Sequence, residues 1–204
     1  MALSLTLEFS DNDLDHFRAV LAKSAEHAAG QPPEKIIEAA RGVLAQSRQG
    51  ELPGFIGERL GQLEDLLAML VDEGWSLPEE DRQRVLSALV YFADPDDVIP
   101  DEVPVLGFLD DAIMIELCGE ALAPELEAYA EFCEFRDQQA RTRGVDPAQV
   151  GHAEWLEAKR QALQERMHQR RRDFGVGYGR SEGYAHKRGS YVRRGWRPPV
   201  DHLI

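Results

Sequence analysis

Asp97, Asp101, Asp110, Asp111 and Glu116 fall within 20 residues of one another and offer only hard oxygen donors. Such a set suits Mg²⁺ or Ca²⁺, and a hydrolase built here would need such a metal to activate water. The spacing is not that of an EF-hand loop. The same residues also have a purely structural reading. Asp110 and Asp111 follow Gly107 at a helix start, where free backbone N–H groups and the helix dipole favour negative charge. Asp97 and Asp101 stand among Pro95, Pro100 and Pro104, in a setting where a short acid accepts bonds from its own backbone turn. Helix capping and turn formation are therefore the primary expectation, and a divalent-cation site is the alternative.

These acids belong to a larger anomaly. Between Val85 and Phe135 lie 13 carboxylates and not one Lys, Arg or His. Val98, Ile99, Val103, Val105, Leu106 and Leu109 are interleaved with them, so packing the apolar side chains desolvates the acids. A desolvated carboxylate is costly unless it gains donors or cations. Those must come from backbone N–H groups, from bases elsewhere in the chain, from a metal or from a partner. For Glu116, set among Ile113, Met114, Ile115 and Leu117, the candidate bases are Arg41, Arg59 and Arg84.

The pattern Pro95-x-Asp97-x-Ile99-Pro100-Asp101, then Pro104-x-x-Gly107-x-x-Asp110-Asp111, resembles the core motif of the YkvA-like domain family, found mainly in bacteria and plants. The likeness covers about Arg82 to Glu120. It implies a small helical domain without an assigned activity, and it transfers no catalytic residue.

A second chemistry sits at the C-terminal end. Residues 1–169 hold 14 Lys+Arg against 34 Asp+Glu, whereas residues 170–204 hold 9 against 3. An acidic body followed by a basic segment marks a boundary near Arg170. The segment mixes Arg170, Arg171, Arg172, Arg180, Lys187, Arg188, Arg193, Arg194 and Arg197 with Tyr178, Tyr184, Tyr191 and Trp196. It is rich in glycine and poor in core-forming residues, which reads as a flexible tail. Rings and arginines in this mixture can stack on bases and meet phosphates of single-stranded nucleic acid. They can equally dock on the chain's own acidic surface or on a protein partner by charge attraction, and docking is the favoured expectation.

Positioning these groups falls to helices. Ser10-Asp11-Asn12-Asp13 can cap a first helix bearing Leu14, Phe17, Val20 and Leu21. Pro32-Pro33 opens a second, with Ile36, Ile37, Ala40, Val43 and Leu44. Ile56, Leu60, Leu63, Leu67 and Leu70 form the cleanest stripe of helical period in the chain. Leu77-Pro78 starts a fourth helix running through Phe92, and Asp110-Asp111 starts a fifth that Pro124 restarts or kinks. Asp146-Pro147 begins a sixth, carrying Trp155, Leu156, Leu163 and Met167. The expected fold is all-α: an irregular bundle of five to seven helices over residues 1–169, then the tail. Leu3 to Phe9 alternates apolar and polar like a short strand and is expected as an extended arm, with two alternatives: pairing to a second copy, which would give a homodimer, or to residues near Ser190-Tyr191-Val192.

No stretch approaches the roughly 20 apolar residues of a spanning helix, and Met1 to Phe9 lacks the basic start and apolar run of a secretory leader. Cys118 and Cys133 fall in helices and read as buried, reduced thiols of a cytoplasmic protein. The pattern contains no Ser-His-Asp or Cys-His arrangement and no phosphate-cradling glycine loop, so an enzyme is the minority expectation. The sequence as a whole points to a non-catalytic interaction module, ahead of a nucleic-acid-associated protein and a divalent-metal enzyme.

Overall fold

The computed structural model describes residues 10–27, 30–48, 52–93, 108–151, 153–174 and 195–200. They form seven α-helices: α1 (Asp11–His27), α2 (Pro33–Ser47), α3 (Gly54–Val71), α4 (Glu79–Leu89), α5 (Leu109–Ala121), α6 (Ala123–Arg143) and α7 (Glu154–Phe174). Two 3-10 turns, Val90–Ala93 and Pro147–Gln149, complete the regular structure, and no strand occurs among the described residues. The all-α bundle expected from the periodicity is what the chain adopts. The arm at Leu3 to Phe9 lies outside the described residues.

The helix starts follow local chemistry. Ser10 and Asp13 form a reciprocal capping pair: the Ser10 backbone N–H donates to Asp13 Oδ2 at 2.9 Å and the Asp13 N–H to Ser10 Oγ at 3.4 Å. The Ser10 hydroxyl, donating to Asp13 Oδ2 at 2.7 Å, and then its backbone N–H lower the Asp13 carboxyl below its ordinary range. Three other helices begin behind prolines, Pro32, Pro53 and Pro78, in extended geometry and without a side-chain cap. Their carbonyls accept the first helical bonds, as from Lys35 at 3.0 Å and from Arg82 at 2.8 Å. Gly144, at φ 65°, closes α6 in the left-handed conformation that glycine adopts without steric cost.

Pro124 restarts the chain as expected: α5 ends at Ala121, and α6 begins at Ala123 with the proline inside its first turn, where its missing N–H costs nothing. Two boundaries differ from expectation. Asp146-Pro147 begins only a single 3-10 turn, with Asp146 accepting from the Ala148 N–H at 2.9 Å, and the last helix starts later, at Glu154. The end of the fourth helix tightens into the 3-10 turn at Val90–Ala93.

α3 runs through the centre, packed on α2, α4, α5 and α6, while α6 and α7 pair along their length. Leu63, Leu66 and Leu67 are fully buried, together with Trp75, Leu89, Met114, Ile115, Tyr129 and Phe132. The Trp75 ring lies 5.1 Å from Phe132 and 5.8 Å from Tyr129, centroid to centroid. Because Leu63 has no exposed surface, Leu63→Ala is expected to cost about 2–5 kcal/mol, read as a lowered denaturant midpoint at unchanged slope.

Candidate functional site

Among the described residues of the acidic stretch, Glu116, Glu125, Glu127 and Glu131 obtain cations from other helices. Arg59 of α3 donates to Glu116 at 2.8 Å, selecting one of the three arginines that the sequence offered. Arg84 of α4 donates to Glu125 at 2.9 Å and to the Ala121 carbonyl at 2.7 Å. The remainder come from α7. Lys159 reaches Glu131 at 2.8 Å, Arg166 also pairs with Glu131, and Arg170 pairs with Glu127. Arg171 bridges Asp81 at 2.5 Å and Glu125 at 2.7 Å. Residues late in α7 meet residues early in α6, so the two helices run antiparallel with a basic edge laid along an acidic one. Burial alone would raise the Glu131 carboxyl, but its bonds to Lys159 and Arg166 bring it below the ordinary range. Burial disfavours the charged Arg171, yet its bond to Asp81 and the field of Glu125 raise it further.

The buried acids occupy recurrent places. Asp81 lies in the first turn of α4, Asp110 and Asp111 in that of α5, and Glu125 in that of α6. That is where the free first-turn N–H groups and the positive end of the helix dipole favour negative charge. Asp81 also faces His168 Nε2 at 2.7 Å.

A second ionic centre surrounds Asp72, just past the end of α3. Its carboxylate accepts from the backbone N–H of Gly74 at 3.0 Å and of Trp75 at 3.2 Å. It also accepts from Tyr129 at 2.9 Å and, two-pronged, from Arg136 at 2.8 and 2.7 Å. Arg136, 1% exposed, extends the network to the C-terminal segment: Nη2 donates to the Trp196 carbonyl at 3.0 Å, and the guanidinium lies 4.6 Å from the Trp196 ring centroid. Arg197 pairs with the buried Asp65 of α3 at 2.6 Å, and Val200 is buried in the core. Residues 195–200 thus clasp α3 and α6.

The residues expected to hold a metal are dispersed in their roles. Asp110 and Asp111 are buried, with Tyr91 donating to Asp110 at 3.4 Å. Glu116 is taken by Arg59. Asp97 and Asp101 lie outside the described residues, among which no group of three or more His, Cys, Asp or Glu is arranged to hold a metal. The expected capping of α5 by Asp110 or Asp111 needs correction. Phe108 holds the N-cap position with no side-chain bond, and the helix begins at Leu109. Both aspartates nevertheless occupy the first turn of α5, where the expected helix start placed them.

Of the basic and aromatic residues of the C-terminal segment, Arg170, Arg171, Trp196 and Arg197 are engaged within the fold, and Arg172 donates to Gln169 at 2.8 Å. Tyr178, Arg180, Tyr184, Lys187, Arg188, Tyr191, Arg193 and Arg194 lie outside the described residues. Sequence reasoning did not single out Asp65, Asp72, Asp81, Glu125 or Arg136. Asp65 had a visible signal, an acid set between Leu63 and Leu66 in the longest apolar stripe. Arg136 had another, as the first base after 51 residues without one.

These features define an all-α bundle whose helices are joined by buried ion pairs. A model of a protein family of unknown function, DUF1232, matches residues 84–117, the span from Arg84 of α4 to Leu117 of α5. Comparison with curated proteins and with solved structures gives no match, and no helix among the described residues is long and apolar enough to cross a membrane.

Two outcomes follow from this geometry. Asp72→Ala leaves Arg136 buried without its counter-charge and is expected to cost about 3–5 kcal/mol in chemical denaturation. The second concerns alkaline pH. Burial pushes the Cys118 thiol up to about 12 and Cys133 to about 11, from 9.0, and raises the Tyr129 phenol well above 10.0. The folded chain then keeps protons that the unfolded chain releases. Stability contributed by these groups is complete below about pH 8 and falls as pH rises through 9–11, by about 1.4 kcal/mol per pH unit for each group titrating only when unfolded. Denaturant midpoints across pH 7–11 measure it, and both thiols are expected to resist alkylation until the chain unfolds.

Proposed function

We propose that the chain is a non-catalytic interaction module of the cytoplasm and that the segment at 84–117 is a YkvA-like domain. The residue pattern quoted above supports the second part, since it spans about 82–120 and overlaps the family match. One observation carries the first. The buried carboxylates Asp65, Asp72, Asp81 and Glu125 each face an arginine from another segment of the chain. Charge that an enzyme would hold ready for substrate or metal is here committed to joining helices. The buried thiols, raised far above neutrality, make poor nucleophiles.

Two other readings keep their own tests. A divalent-cation site using Asp97, Asp101, Asp110, Asp111 and Glu116 calls for Mg²⁺ or Ca²⁺ to raise the melting temperature. Nucleic-acid binding by the basic aromatic residues calls for a shift of single-stranded RNA or DNA that weakens steeply with salt. The module reading expects neither, and expects affinity capture with the full chain to retain a specific protein partner. A cation-dependent rise in melting temperature, or a salt-sensitive shift near physiological ionic strength, would replace it.

A further inference from the structure

The six residues Gly195 to Val200 are held by four distinct recognition features, as a bound peptide would be. Gly195 lies so close to the α6 backbone that a Cβ there would stand 2.5 Å from the Cys133 carbonyl carbon and oxygen, and its φ is 80°. Only glycine fits at that point. Trp196 offers its carbonyl to Arg136 at 3.0 Å and its ring to the same guanidinium at 4.6 Å, a pairing favoured by the ring quadrupole. Arg197, its side chain 4% exposed, meets Asp65 at 2.6 Å, with Tyr129 alongside at 5.9 Å. Pro198 and Pro199 fix the backbone ahead of binding, which lowers the entropy lost, and Val200 enters the core with 2% exposure. The receiving side chains, Asp65, Tyr129 and Arg136, are all buried and positioned by α3 and α6, and Arg136 is oriented by its separate two-pronged bond to Asp72.

We propose that this surface of α3 and α6 is a peptide-binding site for an extended Gly-aromatic-Arg-Pro-Pro segment, occupied in cis by the chain's own residues 195–200. The buried Asp65 sets the requirement for arginine, the close approach at Cys133 sets the requirement for glycine, and the Arg136 face selects the aromatic ring. A partner carrying the same chemistry competes with the clasp for the site. For its purpose the site rests on the module reading, but its test is separate. A partner captured by a chain that does not bind the peptide would keep the module and discard this site.

The probe is a labelled synthetic peptide of residues 194–200, followed by fluorescence polarisation. The proteins are the full chain and its Gly195→Val variant, whose own clasp cannot close against Cys133. The peptide is expected to bind the variant at least about tenfold more tightly than the wild type. It should lose at least about tenfold when it carries Arg197→Ala, or when Asp65→Asn is added to the variant, because a buried charge is then left unmatched. Equal affinity for both proteins, or no binding to a variant with native helical circular dichroism, would overturn the proposal. If Gly195→Val does not fold, hydrogen exchange on the wild-type chain decides instead. Excess peptide should speed exchange across residues 195–200 by displacing them, and unchanged exchange at saturating peptide would overturn the site.

Discussion

Asp72 collects five donors: two backbone N–H groups of its own turn, the Tyr129 hydroxyl and both prongs of Arg136. A buried acid must be satisfied this fully or its desolvation outweighs what it gains. Each donor constrains a different element. The Gly74 and Trp75 bonds shape the turn between α3 and α4, Tyr129 and Arg136 set the rotation of α6, and Arg136 carries the constraint on to Trp196. The turn is held from its other side by Arg160, which donates to the Gly74 carbonyl at 2.8 Å, and by Gln164, which donates to that of Trp75 at 3.0 Å. The attraction within a buried pair such as Asp72–Arg136 is largely offset by the desolvation of its charges, whereas losing one partner strands the other. The elements so constrained include the seat of the C-terminal segment.

The other ionic contacts follow a division of labour between helices. α5 and α6 carry the acids and, up to Phe135, no base, whereas α7 carries a series of bases on one edge and few apolar residues beyond Leu156, Leu163 and Met167. Most pairs along this seam stay partly exposed, while the buried Asp81 and Glu125 depend on it for a counter-charge. Laid antiparallel, each supplies what the other lacks; Arg84 shares Glu125 with Arg171, and Arg59 covers Glu116 of α5. The segment matched by the family model lies inside this arrangement: its first residue, Arg84, supports α6, and its α5 rests on α3.

The fold was largely legible in the sequence because period and punctuation agree with tertiary packing. The stripe from Ile56 to Leu70, the starts behind Pro32, Pro53 and Pro78, and the restart at Pro124 all register locally. What escaped was non-local. Nothing in a linear reading pairs Asp72 with Arg136 or Asp65 with Arg197, because an acid after a helix and an arginine in a basic run look like ordinary surface residues. Attention went to Asp97, Asp101, Asp110, Asp111 and Glu116 because they cluster along the chain. The acids that organise the core are those whose partners are distant in sequence. Glu116 was the exception: its apolar neighbours announced a need for a counter-charge, and Arg59 was among the bases able to meet it.

The spacing of these contacts along the chain also orders the assembly of the molecule. Pairs between α6 and α7 join residues 28 to 46 positions apart, as in Lys159–Glu131 and Arg171–Glu125. The bond of Arg136 to Asp72 spans 64, that to Trp196 spans 60 and the Arg171–Asp81 pair spans 90. Closing the longer loops costs more chain entropy before any bond rewards it. The α6–α7 hairpin is therefore the natural early folding unit. The charged centre around Asp72 is complete only when α3 and α6 have met with α6 in one rotation about its axis, because Tyr129 and Arg136 reach the same carboxylate only then.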